Sequence, residues 1–262
     1  MKVLVPETAD LVRALASCRA PAVLPRAFFR AHVGERWRAD RLAAVLRGRE
    51  VALEYSLFPV YRPRPELQDG GYFRKVVPFD EALSRIAAQH EHRTWAYLSS
   101  VPLTRDAPEC AELLPRLAAL GRRALREVAL FIGPSGSGTH LHYDSTDNLL
   151  VALEGRKEIW LCPPSSSRLL RPQRFGTRCS QFSALPVTRD GSLVWPAGVQ
   201  IERVTLEPGD GLFFPAGWWH FVRNDGYAVS ATWIWPARRR ALLDPMQLRL
   251  RASLRLAEAW TR

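Results

Sequence analysis

The chain has 262 residues, of which 47% are hydrophobic, enough for one large domain with a sizeable core. We find no run of about 18 apolar residues and no basic start leading into an apolar stretch, so we expect a cytoplasmic protein with neither a membrane span nor a signal peptide. The net charge of +11 comes almost wholly from arginine, which we attribute to genome composition, with an acidic partner such as RNA as the alternative interpretation.

Residues 1–126 are predicted to form a mixed helical and strand part. Helical patterns occur in "PETADLVRAL", in "ADRLAAVLRG", which ends at Gly48, in "PFDEALSRIAAQ" and in "CAELLPRLAAL". Strands are predicted for "EVALEYSL" and "TWAYLSSV". The stretch from Ser56 to Lys75 is rich in proline, glycine and arginine, which predicts a long irregular segment.

Residues 127–236 show about eight short strand patterns separated by glycine, proline, asparagine and aspartate. This texture predicts a mainly β protein with flanking helices, whose core is a double-stranded β-helix of the jelly-roll or cupin kind. Residues 237–262 are predicted to be helical after Pro245. We expect this C-terminal helix to cover a barrel edge, with homodimer formation through it as the alternative to a monomer. The whole chain, 1–262, is interpreted as one domain.

The segment "GSGTHLHYDSTDN" concentrates potential metal ligands. Residues two apart in a strand point to the same face, so His140, His142 and Asp144 are expected to face one interior. His220, in "PAGWWHFVRN", begins a later predicted strand and is the natural distant ligand. Two histidines and one carboxylate form the facial triad of non-haem Fe(II) oxygenases, which leaves coordination positions open for cosubstrate and oxygen.

Two ligand sets fit this pattern. The first is His142, Asp144 and His220. The second is a cupin set of His140, His142 and His220, with Asp147 as the acidic ligand. The second half of the cupin pattern is present, at Gly209, Pro215, Gly217, His220 and Asn224. Its first half departs from the pattern, because no glutamate follows His142 at the expected distance. The four cysteines are widely spaced without a CxxC pair, which predicts free thiols and argues against structural zinc.

The runs "LHYDSTDNLLVALEGRKEIWLCPP" and "VTLEPGDGLFFPAGWWHFV" resemble the Jumonji-C family of oxygenases that use Fe(II), 2-oxoglutarate and O2. The similarity is to its small hydroxylase branch, which includes the asparaginyl hydroxylase of hypoxia-inducible factor and the tRNA wybutosine hydroxylase. It is specific from Val128 to Pro236 and weaker back to Pro21. The resemblance implies a double-stranded β-helix and a hydroxylation reaction coupled to the decarboxylation of 2-oxoglutarate.

The family pattern implies roles for particular residues. His142, Asp144 and His220 match its metal ligands. Lys157, thirteen residues after Asp144, matches the lysine that pairs with the far carboxylate of 2-oxoglutarate. An ammonium group suits this role, since a buried carboxylate needs a charged or multiply hydrogen-bonded partner.

Further positions match groups around the cosubstrate. Thr139 and Tyr97 match residues whose hydroxyl groups, like the lysine, bind the far carboxylate of 2-oxoglutarate. Asn148 matches an amide near the end of 2-oxoglutarate that binds the metal. Thr232 stands where related hydroxylases carry an asparagine, and we expect it to substitute for that amide. His140 is expected to have a supporting or structural role beside the metal.

The substrate is not encoded in a motif. A protein or peptide side chain is our first expectation, followed by a modified nucleoside in tRNA and by a small molecule or natural-product intermediate. Lysine demethylation ranks lower, because no reader or zinc module accompanies the barrel. The alternatives outside this class are a non-oxygenase cupin metalloprotein and a binding protein with a decayed metal site.

Overall fold

The computed structural model describes residues 2–3, 15, 18–24, 44–61, 73–89, 94–103, 126–237 and 245–259. The described strands are β1 (Lys2–Val3), β2 (Ala22–Leu24), β3 (Glu50–Ser56), β4 (Val60–Tyr61), β5 (Phe73–Pro78), β6 (Trp95–Pro102), β7 (Glu127–Gly133), β8 (Gly138–Tyr143), β9 (Thr146–Cys162), β10 (Glu202–Leu206), β11 (Gly211–Phe214) and β12 (Trp219–Pro236). The described α-helices are α1 (Phe79–Ala87), α2 (Ser167–Leu170) and α3 (Pro245–Ala259), and a 3-10 turn spans Pro164–Ser166.

Two long strands, β9 and β12, form the spine of the fold. They pair antiparallel from Thr146 opposite Pro236 to Cys162 opposite Trp219, with register shifts near the middle. The short strand patterns predicted two strands in place of β9, at "NLLVALEG" and "KEIWLCPP", and two in place of β12, at "HFVRN" and "YAVSATWIW", so this expectation was wrong. The chain bends without leaving the sheet because Gly155 adopts a φ of 65°, and a Cβ there would lie 1.9 Å from the Tyr227 carbonyl oxygen.

The bent strands take part in both layers of a barrel. On β9, the first half pairs with β11 and the second half with β10, while β12 pairs with β7 and with β8. Alternate residues of these strands point inward and form an apolar cluster of Leu150, Ala152, Ile159, Leu161, Val204, Leu206, Leu212, Phe214 and Val222. The predicted double-stranded β-helix core is confirmed.

Helices pack on the outside of the barrel. Phe79, Ala82 and Ile86 lie at the three- and four-residue spacing that gives α1 one buried face. They join the outward side chains of β7, β9 and β12 in a second apolar cluster. Leu250 and Leu254 of α3 pack in a third apolar cluster, which includes Leu141 and Tyr143 of β8. The predicted helix after Pro245 therefore covers the barrel, while its use in a homodimer stays a prediction. No described helix is long and apolar enough to cross a membrane.

Several expectations for the N-terminal part fall outside the described residues. The predicted helices at 6–15 and 110–120 lie there almost entirely, and the one at 39–48 is described only from residue 44. The prediction that the irregular segment extends to Lys75 was wrong, because β5 already begins at Phe73 and pairs with β3. Three cysteines are described, and none of the three forms a disulfide, as predicted.

Candidate metal centre

Three side chains converge at the mouth of the barrel. His142 lies on β8, Asp144 follows that strand, and His220 is the second residue of β12. The sheet register places His142 directly opposite His220, with ring centroids 4.0 Å apart. Asp144 Oδ2 lies 3.6 Å from His220 Nε2, and Asp144 Oδ1 lies 4.0 Å from His142 Nε2. One ligand atom from each of the three lies within 4.8 Å of the others, which is close enough for them to share one metal ion.

Backbone carbonyls orient both histidines. His142 Nδ1 donates to the His140 carbonyl oxygen at 2.8 Å, and His220 Nδ1 donates to that of Trp218 at 3.1 Å. Each Nε2 therefore keeps its lone pair for a metal, as in known metal sites. Burial, with the neighbouring His142, lowers the pKa of His220 to about 3, so its imidazole is neutral at physiological pH.

The carboxylate of the cluster is oriented by its own segment. Asn148 Nδ2 donates to Asp144 Oδ2 at 3.1 Å, and Gly217 N donates to the Asp144 carbonyl oxygen at 2.9 Å. Asp147 points elsewhere, because its Oδ1 accepts a hydrogen bond from Ala216 N at 2.8 Å. Asp147 thus supports the loop that precedes His220, and Asn148 holds the metal-site carboxylate directly.

His140 is not part of the cluster, and our expectation that it shares a face with His142 was wrong. A β-bulge places both His140 and Leu141 opposite a single residue of β12, which rotates His140 away from the metal site. Its Nε2 lies 3.0 Å from the Leu185 carbonyl oxygen and its Nδ1 lies 3.3 Å from that of Leu141. Among the described residues, only His142, Asp144 and His220 come together as a metal-ligand group.

Lys157 is buried in the barrel, and the described part of the chain supplies no counter-charge to it. Its side chain is 1% exposed, and burial lowers the pKa of its ammonium group to about 7. Its register neighbours are Asn224 on β12 and Leu206 on β10. Among the described residues, no side chain forms a hydrogen bond or ion pair with its Nζ. The site therefore lacks an anion that a buried ammonium requires.

Hydroxyl groups lie on the same inner face. Tyr97 on β6 is hydrogen-bonded to Thr139 on β8, and burial raises the pKa of Tyr97. Gly133 makes room for this ring, since a Cβ there would lie 2.3 Å from Tyr97 Cδ2. Thr232 is also buried and faces inward opposite Leu150, but it makes no hydrogen bond to the metal cluster within the described part of the chain.

Two aromatic rings beside the histidines were not predicted. Phe182 stacks on His142 with ring centroids 4.9 Å apart, and Phe214 lies 4.5 Å from His220. Phe182 belongs to an irregular segment that pairs with β8, where Ser183 N donates to the Leu141 carbonyl oxygen at 2.8 Å. No spacing rule connects such a segment to a strand far away in sequence, so only the fold reveals this wall of the site.

Fold and site together define a double-stranded β-helix protein in which two histidines and one carboxylate are close enough to hold a metal ion. The cupin-like domain family matches residues 8–240, and the chain belongs to this family of Jumonji-C domains.

Individual proteins similar to this chain were also found. It is 29% identical to lysine-specific demethylase JMJ31 of Arabidopsis thaliana over 150 residues, which are 53% of this chain and 27% of that protein. It is 30% identical to HSPB1-associated protein 1 of Mus musculus over 217 residues, 76% of this chain and 45% of the mouse protein. The chain thus spans less than half the length of these relatives. The solved structure of ycfD from E. coli matches with a TM-score of 0.51 and 19% identity, covering 92% of this chain and 56% of that one.

Members of the Jumonji-C family use Fe(II) and 2-oxoglutarate. The residues present fit both groups. Two imidazoles and one carboxylate suit Fe(II), and the buried ammonium of Lys157 provides the charge that a dicarboxylate needs at its far end.

Proposed function

We propose that this protein is an Fe(II)- and 2-oxoglutarate-dependent oxygenase that hydroxylates a C–H bond on a protein or peptide side chain. The observation that carries the proposal is the buried Lys157, which has no counter-charge among the described residues, on the inner face that also bears the metal cluster. A structural metal site has no need of such a lysine, whereas a dicarboxylate cosubstrate supplies its missing partner.

The roles of the residues follow from their contacts. His142, Asp144 and His220 would hold Fe(II) on one side and leave its remaining positions open. Lys157 would bind the far carboxylate of 2-oxoglutarate, with Tyr97 and Thr139 donating hydrogen bonds to it. When bound, iron and 2-oxoglutarate supply the oxidising power that amino-acid side chains lack. Phe182 and Phe214 exclude water from the two histidines.

Two further residues support the site from its rim. Asn148 donates to Asp144 and keeps its carboxylate directed at the histidines. Thr232 faces inward from β12, and we assign it a polar contact with the cosubstrate or substrate once both are bound. The protein need only orient the reactants and shield them from solvent, which is how positioning lowers a barrier.

A protein substrate is favoured by the names of the relatives, which include a lysine-specific demethylase and a protein associated with HSPB1. The net charge of +11 favours RNA as a second candidate, and a modified nucleoside in tRNA is the form it would take. The cytoplasmic location that we propose agrees with both.

The reaction is tested with purified protein, Fe(II) and 2-oxoglutarate. We expect Fe(II)-dependent binding of 2-oxoglutarate and slow formation of succinate without substrate. Both should be abolished by His220→Ala, whereas Lys157→Met should abolish 2-oxoglutarate binding and keep Fe(II) binding. Absence of Fe(II)-dependent 2-oxoglutarate binding in the unaltered protein would overturn the proposal.

The substrate class is tested in cells. Proteins and tRNA from a strain that lacks the gene are compared with the parent by mass spectrometry, in search of a mass difference of one oxygen atom. A hydroxylated peptide supports the proposal, and a hydroxylated nucleoside replaces it with the RNA alternative. Formaldehyde release from a methylated lysine would instead show that the hydroxylated carbon is an N-methyl group.

A further inference from the structure

The segment that carries Phe182 past the metal site begins in a strongly basic stretch. Between Glu158 and Asp190 the chain contains five arginines and no lysine or acidic residue. Four of these arginines are close together in sequence and exposed, and we call them the basic surface: Arg168, Arg171, Arg174 and Arg178. Guanidinium groups stay protonated at every physiological pH, so the positive charge of the basic surface is permanent.

The described carboxylates do not neutralise this charge. Arg168, Arg171 and Arg174 have no ion pair within the described part of the chain. Arginines on the sheets are different, because several pair with a carboxylate: Arg74 with Glu54, Arg156 with Asp225, and both Arg203 and Arg223 with Glu158. The charge of the basic surface is therefore open to a partner.

Strand pairing places the basic surface beside the metal site. Phe182 forms an antiparallel bridge with His142, and Gln173 N donates to the Phe182 carbonyl oxygen at 2.8 Å. Neighbouring strands lie about 4.8 Å apart, so the main chain at Gln173 is roughly 10 Å from that of His142. Arg171 and Arg174 flank Gln173, so a substrate that occupies the metal site can also reach these two guanidinium groups.

Helix α3 holds the segment of the basic surface in place. Arg249 donates through Nη2 to the Gln173 carbonyl oxygen at 2.7 Å and through Nη1 to that of Ser180 at 3.1 Å. Ser253 Oγ accepts from Gly176 N at 2.8 Å. Because these bonds order the segment before a partner binds, less conformational entropy is lost on binding.

Apolar side chains between the arginines favour a peptide as the partner. Leu169 is 43% exposed and Phe175 is 44% exposed, and the Arg249 guanidinium lies 5.8 Å from the centre of the Phe175 ring. Single-stranded nucleic acid binds by stacking its bases on aromatic faces, which a leucine does not provide. An acidic peptide with apolar residues matches both features, since its carboxylates pair with the planar guanidinium groups and its apolar side chains cover Leu169 and Phe175.

We propose that the basic surface docks an acidic segment of the protein substrate, about three to five residues from the side chain that is hydroxylated. An extended chain spans about 3.3–3.6 Å per residue, so this number of residues covers the roughly 10–17 Å from the metal site to the guanidinium groups. The inference rests on the proposed function, because it specifies the substrate of the same metal site.

The first test measures peptide binding by fluorescence anisotropy at physiological ionic strength. The probes are a labelled peptide of repeated Glu-Leu-Gly, its Gln-Leu-Gly counterpart and an oligouridylate with the same net charge as the acidic peptide. We expect the unaltered protein to bind the acidic peptide most tightly. Combining Arg171→Glu with Arg174→Glu should raise the Kd of that peptide about tenfold, because two attractive contacts become repulsive.

The matched control combines Arg47→Glu with Arg85→Glu. Both positions adjoin the apolar cluster outside the other sheet, through Leu46 and Ile86, and the change in net charge is the same. The control should leave the Kd nearly unchanged, because salt screens exposed charges that lie more than about 8 Å away. Should the Arg171→Glu and Arg174→Glu protein not fold, Arg171→Gln with Arg174→Gln removes the two charges more mildly and should still raise the Kd severalfold.

The second test asks whether the acidic peptide lies near the metal site. Mn(II) is loaded in place of Fe(II), and its unpaired electrons broaden the NMR signals of protons close to it. We expect broadening of the signals of the bound acidic peptide. His220→Ala, which removes a metal ligand, should abolish the broadening and leave the Kd of the peptide unchanged. Binding without any broadening in the Mn(II)-loaded protein would place the peptide elsewhere and overturn the proposal.

The third test uses the natural substrate. Peptides that are hydroxylated only in the parent strain should carry aspartate or glutamate about three to five residues from the hydroxylated residue. Hydroxylated peptides without acidic residues at this distance would contradict the docking role.

The remaining outcomes each decide the matter. Equal losses of affinity in the two double variants would show that only net charge matters, and equal binding of the Glu and Gln peptides would show that carboxylates are not recognised. Tighter binding of the oligouridylate would assign the basic surface to RNA. Each of these results overturns the proposal. If the acidic peptide binds as expected but the protein binds no 2-oxoglutarate, the proposed function fails while the peptide site stands.

Discussion

Thr139 and His142 point to the same face of β8 although two residues, His140 and Leu141, lie between them. The bulge opposite Phe221 inserts one residue between them, so the ordinary two-residue alternation is broken. Thr139 thereby meets Tyr97 inside the barrel, while His142 faces His220. One extra residue in the strand thus brings a carboxylate-binding hydroxyl and a metal ligand to one site and removes His140 from it.

The two histidines of the "HLH" motif should respond differently to substitution. Asp144→Ala and His142→Ala each remove a ligand, so we expect the Kd for Fe(II) to rise about hundredfold or more. His140→Gln should leave the Fe(II) Kd of the folded protein unchanged and lower the melting temperature, because the buried His140 ring has its Nε2 within 3.0 Å of the Leu185 carbonyl oxygen and this contact is lost. Anaerobic Fe(II) titration and thermal unfolding measure the two effects. Loss of Fe(II) binding in His140→Gln, with retained binding in Asp144→Ala, would favour the cupin ligand set.

Lys157 should destabilise the fold in a pH-dependent way when no ligand is bound. Its folded pKa of about 7 lies below the ordinary value of 10.5, a difference that corresponds to about 4–5 kcal/mol. The cost is fully present below pH 7 and is relieved as pH rises towards 10, because the unfolded chain binds the proton more tightly in that window.

Lys157→Met should therefore be more stable than the parent at pH 6, and this advantage should shrink as the pH rises towards 10. Urea unfolding at several pH values measures the difference in the free energy of unfolding. Lys75→Met is the matched control, since the Lys75 side chain is 62% exposed and should show no such trend. A constant difference between parent and Lys157→Met across this range would contradict the assignment of a buried, unpaired ammonium group.

The Tyr97 hydroxyl should contribute to cosubstrate binding and not to metal binding. Tyr97→Phe removes the hydrogen bond with Thr139 and one donor to the far carboxylate, so the Kd for 2-oxoglutarate should rise about tenfold. The Fe(II) Kd should be unchanged. Tyr227→Phe is the matched control, because that phenol lies outside the barrel interior near Glu154. Equal effects of the two substitutions on 2-oxoglutarate binding would refute this role.

The bend of the long strands should tolerate an alanine less well at Gly155 in β9 than at Gly226 in β12. Gly155 and Gly226 both have positive φ, at 65° and 84°, but only Gly155 faces a backbone oxygen, whereas a Cβ on Gly226 meets nothing within 4 Å. Gly226→Ala should cost about 1–2 kcal/mol for the left-handed backbone alone. Gly155→Ala adds a clash with the Tyr227 carbonyl oxygen and should be markedly less stable. Denaturant unfolding compares the pair, and equal losses would show that the close approach is not limiting.

Much of the fold follows from local patterns. The apolar run in "EVALFIG" and the aromatic and β-branched residues of "TWAYLSSV" predicted strands where β7 and β6 occur, and the apolar spacing of "PFDEALSRIAAQ" predicted α1. The lengths of β9 and β12 could not be predicted in this way. Gly155 and Gly226 are turn signals in the sequence, and only the structure shows that the two strands pair on both sides of these glycines, with a register shift between the two paired stretches.

The sequence by itself determined which residue types are available and at what spacing, and its resemblance to the Jumonji-C family then selected His142, Asp144, His220 and Lys157. The tertiary structure decided which of them meet. The bulge that rotates His140 away depends on the register with β12, the stacking of Phe182 depends on a segment that returns to β8, and the neighbour of Lys157 depends on the strand opposite. Such contacts join residues far apart in the chain, and their geometry is set by strand pairing and burial, which no local pattern records.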